Sequence, residues 1–228
     1  MPTPGFNPAL VALSVAIAIF AAYTALDLGA RARGVADGTV RSGSRGLWIA
    51  GAAVTMGGGI WSMHFIGMLA FEMGMPTAYD LGLTILSFLI AVGVTGAAFA
   101  WVSRHGARLR TIAVSGPVMG IGVAAMHYTG MAAMRMSGSA AYSLPIVALS
   151  VAIAVTAATA ALWLAFREHA VWQKLGAALV MGIAVAGMHY TGMAAATFTP
   201  NEGVDAHAAA VGISQINLAL SVAGATFI

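Results

Sequence analysis

Seven long apolar runs divide this 228-residue chain, and they leave it little choice but to form membrane-spanning helices. The runs cover residues 8–29, 46–71, 81–102, 112–134, 143–166, 175–197 and 211–228. A helix needs about 20 apolar residues to cross the hydrocarbon core of a bilayer, and each run reaches or approaches that length. With 60% hydrophobic and only 7% charged residues, the chain cannot cover a soluble globule with polar surface. The sequence therefore predicts an all-α fold, a polytopic transmembrane bundle of seven helices.

The basic residues predict how these helices are oriented. Nine of the ten lysines and arginines lie in the connections that follow the first, third and fifth runs, and only Arg135 lies on the other side. Because cytoplasmic loops of membrane proteins are enriched in lysine and arginine, these three connections are predicted to be cytoplasmic. The N-terminus is then outside and the C-terminus is cytoplasmic. The same bias explains the net positive charge without any contact to nucleic acid.

One short motif occurs three times. Its copies are Met63-His64-Phe65-Ile66-Gly67-Met68, Met126-His127-Tyr128-Thr129-Gly130-Met131 and Met188-His189-Tyr190-Thr191-Gly192-Met193. The histidines are 63 and 62 positions apart, and a Met-Gly pair lies eight and seven residues before each of them. The chain is therefore predicted to contain three parallel two-helix repeats plus an extra first helix. We expect the histidines to share one layer of the membrane, about 11 Å from the outer helix ends.

The residues around each histidine predict which side of its helix is buried. At about 100° per residue, the glycine seven positions before the histidine and the methionine four positions after it lie within roughly 40° of it. Small residues allow transmembrane helices to approach closely. This side of each motif helix is therefore predicted to pack against the other two motif helices rather than against lipid.

The donor atoms in the motifs indicate copper. The absence of cysteine excludes thiolate sites, and imidazole with thioether suits copper, Cu(I) in particular, whereas Mg and Ca require oxygen ligands. A histidine buried in hydrocarbon is costly unless it is paired or bound to a metal. The predicted ligands of one or two copper ions are His64, His127, His189, Met63, Met68, Met126, Met131, Met188 and Met193. For each methionine, core packing is the competing interpretation. Tyr128 and Tyr190 are predicted to hydrogen-bond to metal-bound water or to a ligand.

A few charged residues lie outside the motifs. Asp27 is predicted to pair with Arg31 or Arg33, one turn or more further along the first helix. The outer loops carry an acidic rim that could collect cations, although solvated polar loops explain it equally well. The rim residues are Glu72, Asp80, Glu202, Asp205 and His207.

The three motifs resemble those of the MHYT domain, a bacterial seven-helix membrane sensor, and the resemblance covers essentially the whole chain. It implies a copper site that senses oxygen, carbon monoxide or nitric oxide, in the bacterial inner membrane. It also implies that this segment is not an enzyme and feeds a cytoplasmic output domain, commonly one that makes or degrades cyclic di-GMP. The expected partners are the lipid bilayer, a diatomic gas, that output domain and a second copy in a homodimer.

The first motif departs from the family pattern. Phe65 lacks the phenol and Ile66 lacks the hydroxyl that the other two copies carry. Tyrosine and threonine therefore cannot be ligands in every repeat, which favours histidine and methionine. Because the other repeats carry a phenol at this position, Phe65→Tyr is expected to be tolerated.

Three other functions stay open at this point: a haem-binding electron carrier, a copper transporter, and a structural module without a ligand. Haem ligation by two histidines would leave the third copy of the motif unexplained. A transporter built from parallel repeats is expected to contain broken helices or a charged relay near the midplane, and the apolar runs contain neither.

Overall fold

The computed structural model describes residues 5–36, 45–72, 77–166, 170–200 and 212–226. Its helices are α1 (Pro8–Ala36), α2 (Arg45–Leu69), α3 (Leu81–His105), α4 (Leu109–Ala132), α5 (Leu144–Ala165), α6 (Val171–Ala194) and α7 (Gln215–Thr226). The first six are long and apolar enough to cross a membrane, whereas the described part of α7 has 12 residues. The predicted all-α bundle of seven helices is confirmed, and the chain is a multi-pass membrane protein.

Six of the helices form a closed ring of alternating members. The motif helices α2, α4 and α6 carry the histidines, and α3 packs between α2 and α4 while α5 packs between α4 and α6. α1 closes the ring between α6 and α2, and α7 packs outside it against α2. The sequence repeat pairs α6 with α7, but in space α1 fills the position that α3 and α5 hold in the other repeats.

Close glycine contacts show that α1, α3 and α5 are equivalent. A Cβ atom on Gly57 would overlap the backbone of Val92 in α3, and one on Gly120 would overlap the backbone of Val155 in α5. The corresponding Gly182 of α6 meets Ile19 of α1 in the same way. Each motif helix therefore needs glycine at this position so that the backbone of the neighbouring helix, α1, α3 or α5, can approach.

These contacts correct the prediction of which helices the glycines seven positions before the histidines pack against. Gly57, Gly120 and Gly182 pack against α3, α5 and α1, not against the other motif helices. The reason is that the methionines one position earlier point toward the bundle axis and occupy the space there. Those methionines, Met56, Met119 and Met181, line an apolar cavity of about 20 Å³ two turns below the histidines.

Short strands cover the helix ends nearest to the motif histidines. They are β1 (Gly5–Phe6), β2 (Phe71–Glu72), β3 (Thr77–Tyr79), β4 (Met134–Met136), β5 (Gly138–Tyr142), β6 (Ala196–Pro200) and β7 (Ile213–Ser214). They pair antiparallel as β1-β2, β4-β3-β7 and β5-β6.

The motif helices consequently end earlier than predicted. The apolar runs continue to residues 71, 134 and 197, but the strands take over the last residues of each run. The carbonyls that follow the three helix ends, on Ala70, Ala133 and Ala195, accept hydrogen bonds from the residues that immediately precede α1, α3 and α5. Each histidine is thus five residues from the end of its helix, a depth of about 7.5 Å rather than 11 Å.

Candidate metal centre

The three motif histidines meet on the bundle axis. His64, His127 and His189 are each 0% exposed, and their ligand atoms lie within 4.8 Å of one another. The Nδ1 atom of His64 is 3.0 Å from that of His189 and 3.1 Å from that of His127, and the third side of the triangle measures 3.4 Å. The helix ring therefore brings together three nitrogen atoms from residues that are far apart in sequence.

The size of this triangle fits a metal ion. The point equidistant from the three Nδ1 atoms lies about 1.8 Å from each of them, close to the metal–nitrogen distance of about 2.0 Å for histidine ligands. Only a small outward movement of the rings would bring all three nitrogens to that distance. The donor set is trigonal, neutral in its imidazole form and enclosed by apolar side chains.

Hydrogen bonds among the three histidines cannot satisfy this arrangement. An imidazole nitrogen either carries a proton and donates, or offers a lone pair and accepts, so it cannot do both. Among three Nδ1 atoms in mutual contact, at least two must either both carry a proton or both lack one. No hydrogen bond can form between those two, and their contact is repulsive or unbonded. A buried contact of this kind is costly, whereas a cation at the centre would accept a lone pair from all three.

The opposite edge of each imidazole is closely packed. All three Nε2 atoms are buried and have no hydrogen-bond partner among the described residues. The Nε2 of His64 lies against Gly130, that of His127 against Gly192, and that of His189 against Gly67, so that any Cβ at these glycines would overlap a ring. Each ring thus fits against the motif glycine of the next helix around the axis.

The motif glycines are site residues that the sequence interpretation missed. Their signal was available, because each stands three positions after a motif histidine in all three copies. Spacing along one helix cannot show that a glycine on one motif makes room for the histidine of another. That relation exists only once the three helices surround a common axis.

The two predicted tyrosines contact the histidines through their rings. Tyr128 and Tyr190 pack edge-on against His127 and His189, with ring centroids 4.8 Å apart in both cases. Their hydroxyls hydrogen-bond to serines of the neighbouring helices. Tyr128 bonds to Ser150 of α5 at 2.7 Å, and Tyr190 bonds to Ser14 of α1 at 2.8 Å. The predicted hydrogen bond of these hydroxyls to metal-bound water or to a ligand stays a prediction.

The first repeat replaces this tyrosine with another donor. The serine equivalent to Ser14 and Ser150 is Ser87 of α3, and all three donate to the backbone carbonyl three residues earlier. Ser87 accepts from Nε1 of Trp61 at 3.0 Å, where the other two serines meet a tyrosine hydroxyl. Position 65 therefore needs no phenol, since Trp61 supplies the hydrogen bond that joins α2 to α3.

The six predicted methionine ligands are all in the core. Each is 4% exposed or less, namely Met63, Met68, Met126, Met131, Met188 and Met193. Burial is expected both of a thioether ligand and of a residue that fills space in the core. Their role as ligands stays a prediction.

Asp80, one of the predicted rim residues, forms an ion pair at the end of the bundle that carries the histidines. Asp80 accepts from Arg135 at 2.7 Å and caps α3 by accepting from the backbone of Leu83. The Arg135 guanidinium holds the pKa of Asp80 below its ordinary value, so this carboxylate is already engaged. The rim residues Glu202, Asp205 and His207 lie outside the described residues.

The predicted pair of Asp27 with Arg31 is confirmed at 2.9 Å. Asp27 also binds Lys174 of α6 at 2.7 Å, a contact between α1 and α6 that spacing within α1 could not predict. Arg31 in turn lies over the ring of Trp48 in α2, 5.3 Å from its centroid. These contacts join three helices at the end of the bundle that is opposite to the histidines.

Comparison with known proteins places this sequence in a family. The model of the MHYT family, described as a bacterial signalling protein N terminal repeat, matches residues 57–115, 120–178 and 182–228. These ranges begin at Gly57, Gly120 and Gly182, the glycines that pack against α3, α5 and α1. No solved structure is significantly similar to the chain.

Three curated relatives are signalling proteins. The bifunctional diguanylate cyclase/cyclic di-GMP phosphodiesterase MucR of Pseudomonas aeruginosa is 49% identical over 199 residues, 85% of this chain and 28% of that protein. The cyclic di-GMP phosphodiesterase NbdA of the same organism is 42% identical, over 83% of this chain and 24% of its own length. The signaling protein YkoW of Bacillus subtilis is 34% identical, over 85% of this chain and 24% of its own length.

The chain spans about a quarter of the length of these relatives. What their names describe as cyclase or phosphodiesterase activity belongs to proteins that are much longer than the matched segment. Three family repeats cover most of the chain, and the motif histidines of those repeats converge on one axis. The chain belongs to the MHYT family of bacterial signalling proteins.

Proposed function

We propose that this chain is a membrane-embedded signal-input domain that binds copper at the three motif histidines and senses a diatomic gas or the redox state of the metal. The observation that carries the proposal is the triangle of Nδ1 atoms, with sides of 3.0, 3.1 and 3.4 Å in a fully buried setting. Three imidazoles without a fixed negative charge suit copper better than Mg or Ca. A copper ion with an open coordination position supplies the chemistry needed to bind oxygen, carbon monoxide or nitric oxide.

In this proposal each group of motif residues has its own role. The histidines donate Nδ1, and the motif glycines hold the rings in register by packing against Nε2. The buried methionines of the motifs provide thioether donors of lower affinity. Tyr128 and Tyr190 fix the orientation of the neighbouring imidazoles through ring contacts, while their hydroxyls anchor α4 to α5 and α6 to α1.

The geometry favours this function over haem binding. The three imidazole rings are in edge contact, with centroids 4.7, 5.0 and 5.2 Å apart. A haem held by two histidines would need a flat space between two rings that is wide enough for the whole macrocycle. The packed rings, with motif glycines against their outer edges, leave no such space.

The copper part of the proposal is tested by metal content. Protein purified with copper present should retain it through a desalting step, and His64→Ala, His127→Ala and His189→Ala should each lose most of it by elemental analysis. His105→Ala is the matched control, because His105 is exposed at the end of α3 and lies far from the triangle. Equal copper content in the three motif variants and the wild type would refute the site.

The sensing part requires a full-length protein with its cytoplasmic output domain. A gas bound at the histidine layer can change the output only if it stabilises one arrangement of the helices more than another. A difference of about 1–3 kcal/mol would be sufficient for regulation. Nitric oxide, carbon monoxide or oxygen should change output activity in the wild type, whereas His127→Ala should keep basal output and lose the response. A variant that responds like the wild type would show that the signal enters elsewhere.

The proposed orientation in the bacterial inner membrane places the histidine layer near the outer surface. Because the chain has no cysteine, single cysteines can report on it without a background. Ser139→Cys in the exposed β5 strand should react with a membrane-impermeant thiol reagent in intact cells, and Arg108→Cys before α4 should react only after lysis. The reverse pattern would invert the orientation.

A further inference from the structure

A cleft opens between α2 and α3 at the end of the bundle that is opposite to the histidines. It has a volume of about 380 Å³ and a floor of small apolar residues that includes Ala53, Gly96 and Ala100. Arg45, the first residue of α2, and Arg104, in the last turn of α3, stand at its mouth. The cleft thus combines an apolar groove at membrane depth with two guanidinium groups at the membrane surface.

The other two repeats do not have residues that would leave this space open. Alignment of the three close contacts at Gly57, Gly120 and Gly182 makes Thr159 and Tyr23 the counterparts of Gly96. In the second repeat the Thr159 side chain fills the groove, where it packs directly against Gly116. The counterparts of Ala100 are Trp163 in the second repeat and Asp27 in the third. Only the first repeat therefore has small side chains at both positions.

The charges at the mouth also differ from those of the third repeat. The counterpart of Arg104 is Arg31, and it binds Asp27, the residue at the position of Ala100, at 2.9 Å. Neither Arg45 nor Arg104 forms an ion pair with a carboxylate within the described ranges. The third repeat therefore supplies its own anion at a place where the first repeat supplies none.

Arg45 is held in position by the protein rather than by an anion. Its Nε donates to the Ser103 hydroxyl at 3.1 Å, and its Nη2 donates to the hydroxyl and the backbone carbonyl of the same residue. These bonds use one side of the guanidinium, and among the described residues its Nη1 atom donates to none. A guanidinium fixed in this way can donate a hydrogen bond to a phosphate oxygen with little further loss of side-chain freedom.

We propose that this cleft binds an anionic phospholipid. Its phosphate lies on Arg45 and Arg104, in the place that Asp27 takes beside Arg31, and one acyl chain lies along Gly96, Ala100 and Ala53. Basic pockets between transmembrane helices at a membrane surface are suited to anionic lipid headgroups. The site is separate from the histidine centre, and its occupancy does not depend on the proposed copper.

The test measures lipid retention by the full chain in detergent with native mass spectrometry. Dioleoylphosphatidylglycerol is the probe, and dioleoylphosphatidylcholine has the same chains without net charge. The wild type should retain phosphatidylglycerol about 30-fold better, as expected for two favourable basic contacts at a membrane surface. Arg104→Gln should reduce that retention about five-fold, and Ala100→Asp should reduce it further by placing a carboxylate where Asp27 stands in the third repeat.

Two controls separate this site from a general charge effect. Arg108→Gln removes one charge at the exposed position equivalent to Arg45, immediately before α4, and should leave retention unchanged. Inorganic phosphate at the lipid's concentration should not displace phosphatidylglycerol, because the acyl chain contributes to binding. Equal retention of the two lipids, wild-type retention by both cleft variants, or displacement by inorganic phosphate would each overturn the assignment. Because Arg104 is exposed, its variant tests the site even if Ala100→Asp fails to fold.

Discussion

Phe65→Tyr should destabilise this protein, although two of its three repeats already carry tyrosine at that position. The Phe65 side chain is 0% exposed, and its ring centroid lies 4.9 Å from that of Trp61 and 5.9 Å from that of Tyr79. Trp61 already donates to Ser87, the serine that a tyrosine hydroxyl would reach in the other repeats. The structure thus reverses the expectation that the sequence repeat alone supports.

The size of the effect follows from the two backgrounds in which the hydroxyl is added. Beside Trp61, an extra buried oxygen has no space and should cost about 1–3 kcal/mol. In a Trp61→Ala background, which copies Ala124 and Ala186 of the other repeats, Ser87 is released and the cavity accepts the new group. There Phe65→Tyr should stabilise the fold by about 0.6 kcal/mol, and by at most about 1.7 kcal/mol. The coupling energy between positions 61 and 65 is therefore about 2–5 kcal/mol.

A double-mutant cycle measures this coupling. Unfolding of the wild type, both single variants and the double variant is followed by circular dichroism in mixed micelles, because removal of Trp61 changes the fluorescence. Phe99→Tyr in the same two backgrounds is the control. Phe99 is also buried, but it lies in the half of α3 that is far from Trp61, where it packs against Phe166. Equal effects of Phe65→Tyr with and without Trp61 would refute the reasoning that Trp61 replaces the tyrosine hydroxyl.

Two further predictions concern the histidine packing and the ion pair between Arg135 and Asp80. Gly130→Ala should lose most of the bound copper, because its Cβ would overlap Nε2 of His64, whereas Gly187→Ala, with open space around its Cβ, should retain it. Equal copper content in these two variants would contradict the packing role of the motif glycine. Arg135 lowers the pKa of Asp80 below its ordinary 3.8, so the pair stabilises the fold above that pH and loses its effect as the pH falls through the lowered value. The Tm of Asp80→Asn should therefore be below that of the wild type at neutral pH, and the two should converge on acidification. A constant difference across the pH range would assign the effect to something other than this ion pair.

The sequence predicts the helices and the histidine layer well because both depend on local patterns. Runs of about 20 apolar residues have one stable outcome in a bilayer, since every backbone polar group must be bonded within the segment. The three-fold repeat then puts each histidine at the same depth, and the structure brings His64, His127 and His189 within 4.8 Å. The helix ends were harder to predict, because the apolar character of residues such as Phe71 and Met134 continues into the strands.

The partners of the helices could not be read from the repeat. The sequence pairs α6 with α7, but the ring is closed by α1, whose Ser14 and Ile19 stand where α3 and α5 place their own serine and valine. An apolar helix can be moved around a ring at little cost in hydrophobic burial, because lipid is as apolar as protein. Only the close contacts of particular small residues decide its place, and these contacts join residues that are distant in sequence.

The central claim is that one copper ion is held by the Nδ1 atoms of all three motif histidines. X-ray absorption spectroscopy at the copper edge of protein loaded with one equivalent of the metal tests it most directly. The geometry predicts three nitrogen scatterers at about 2.0 Å, with the outer-shell features of imidazole rings. Any copper that remains in His127→Ala should no longer show three nitrogen scatterers. A copper environment made mainly of oxygen, or one that contains a single histidine, would contradict the claim.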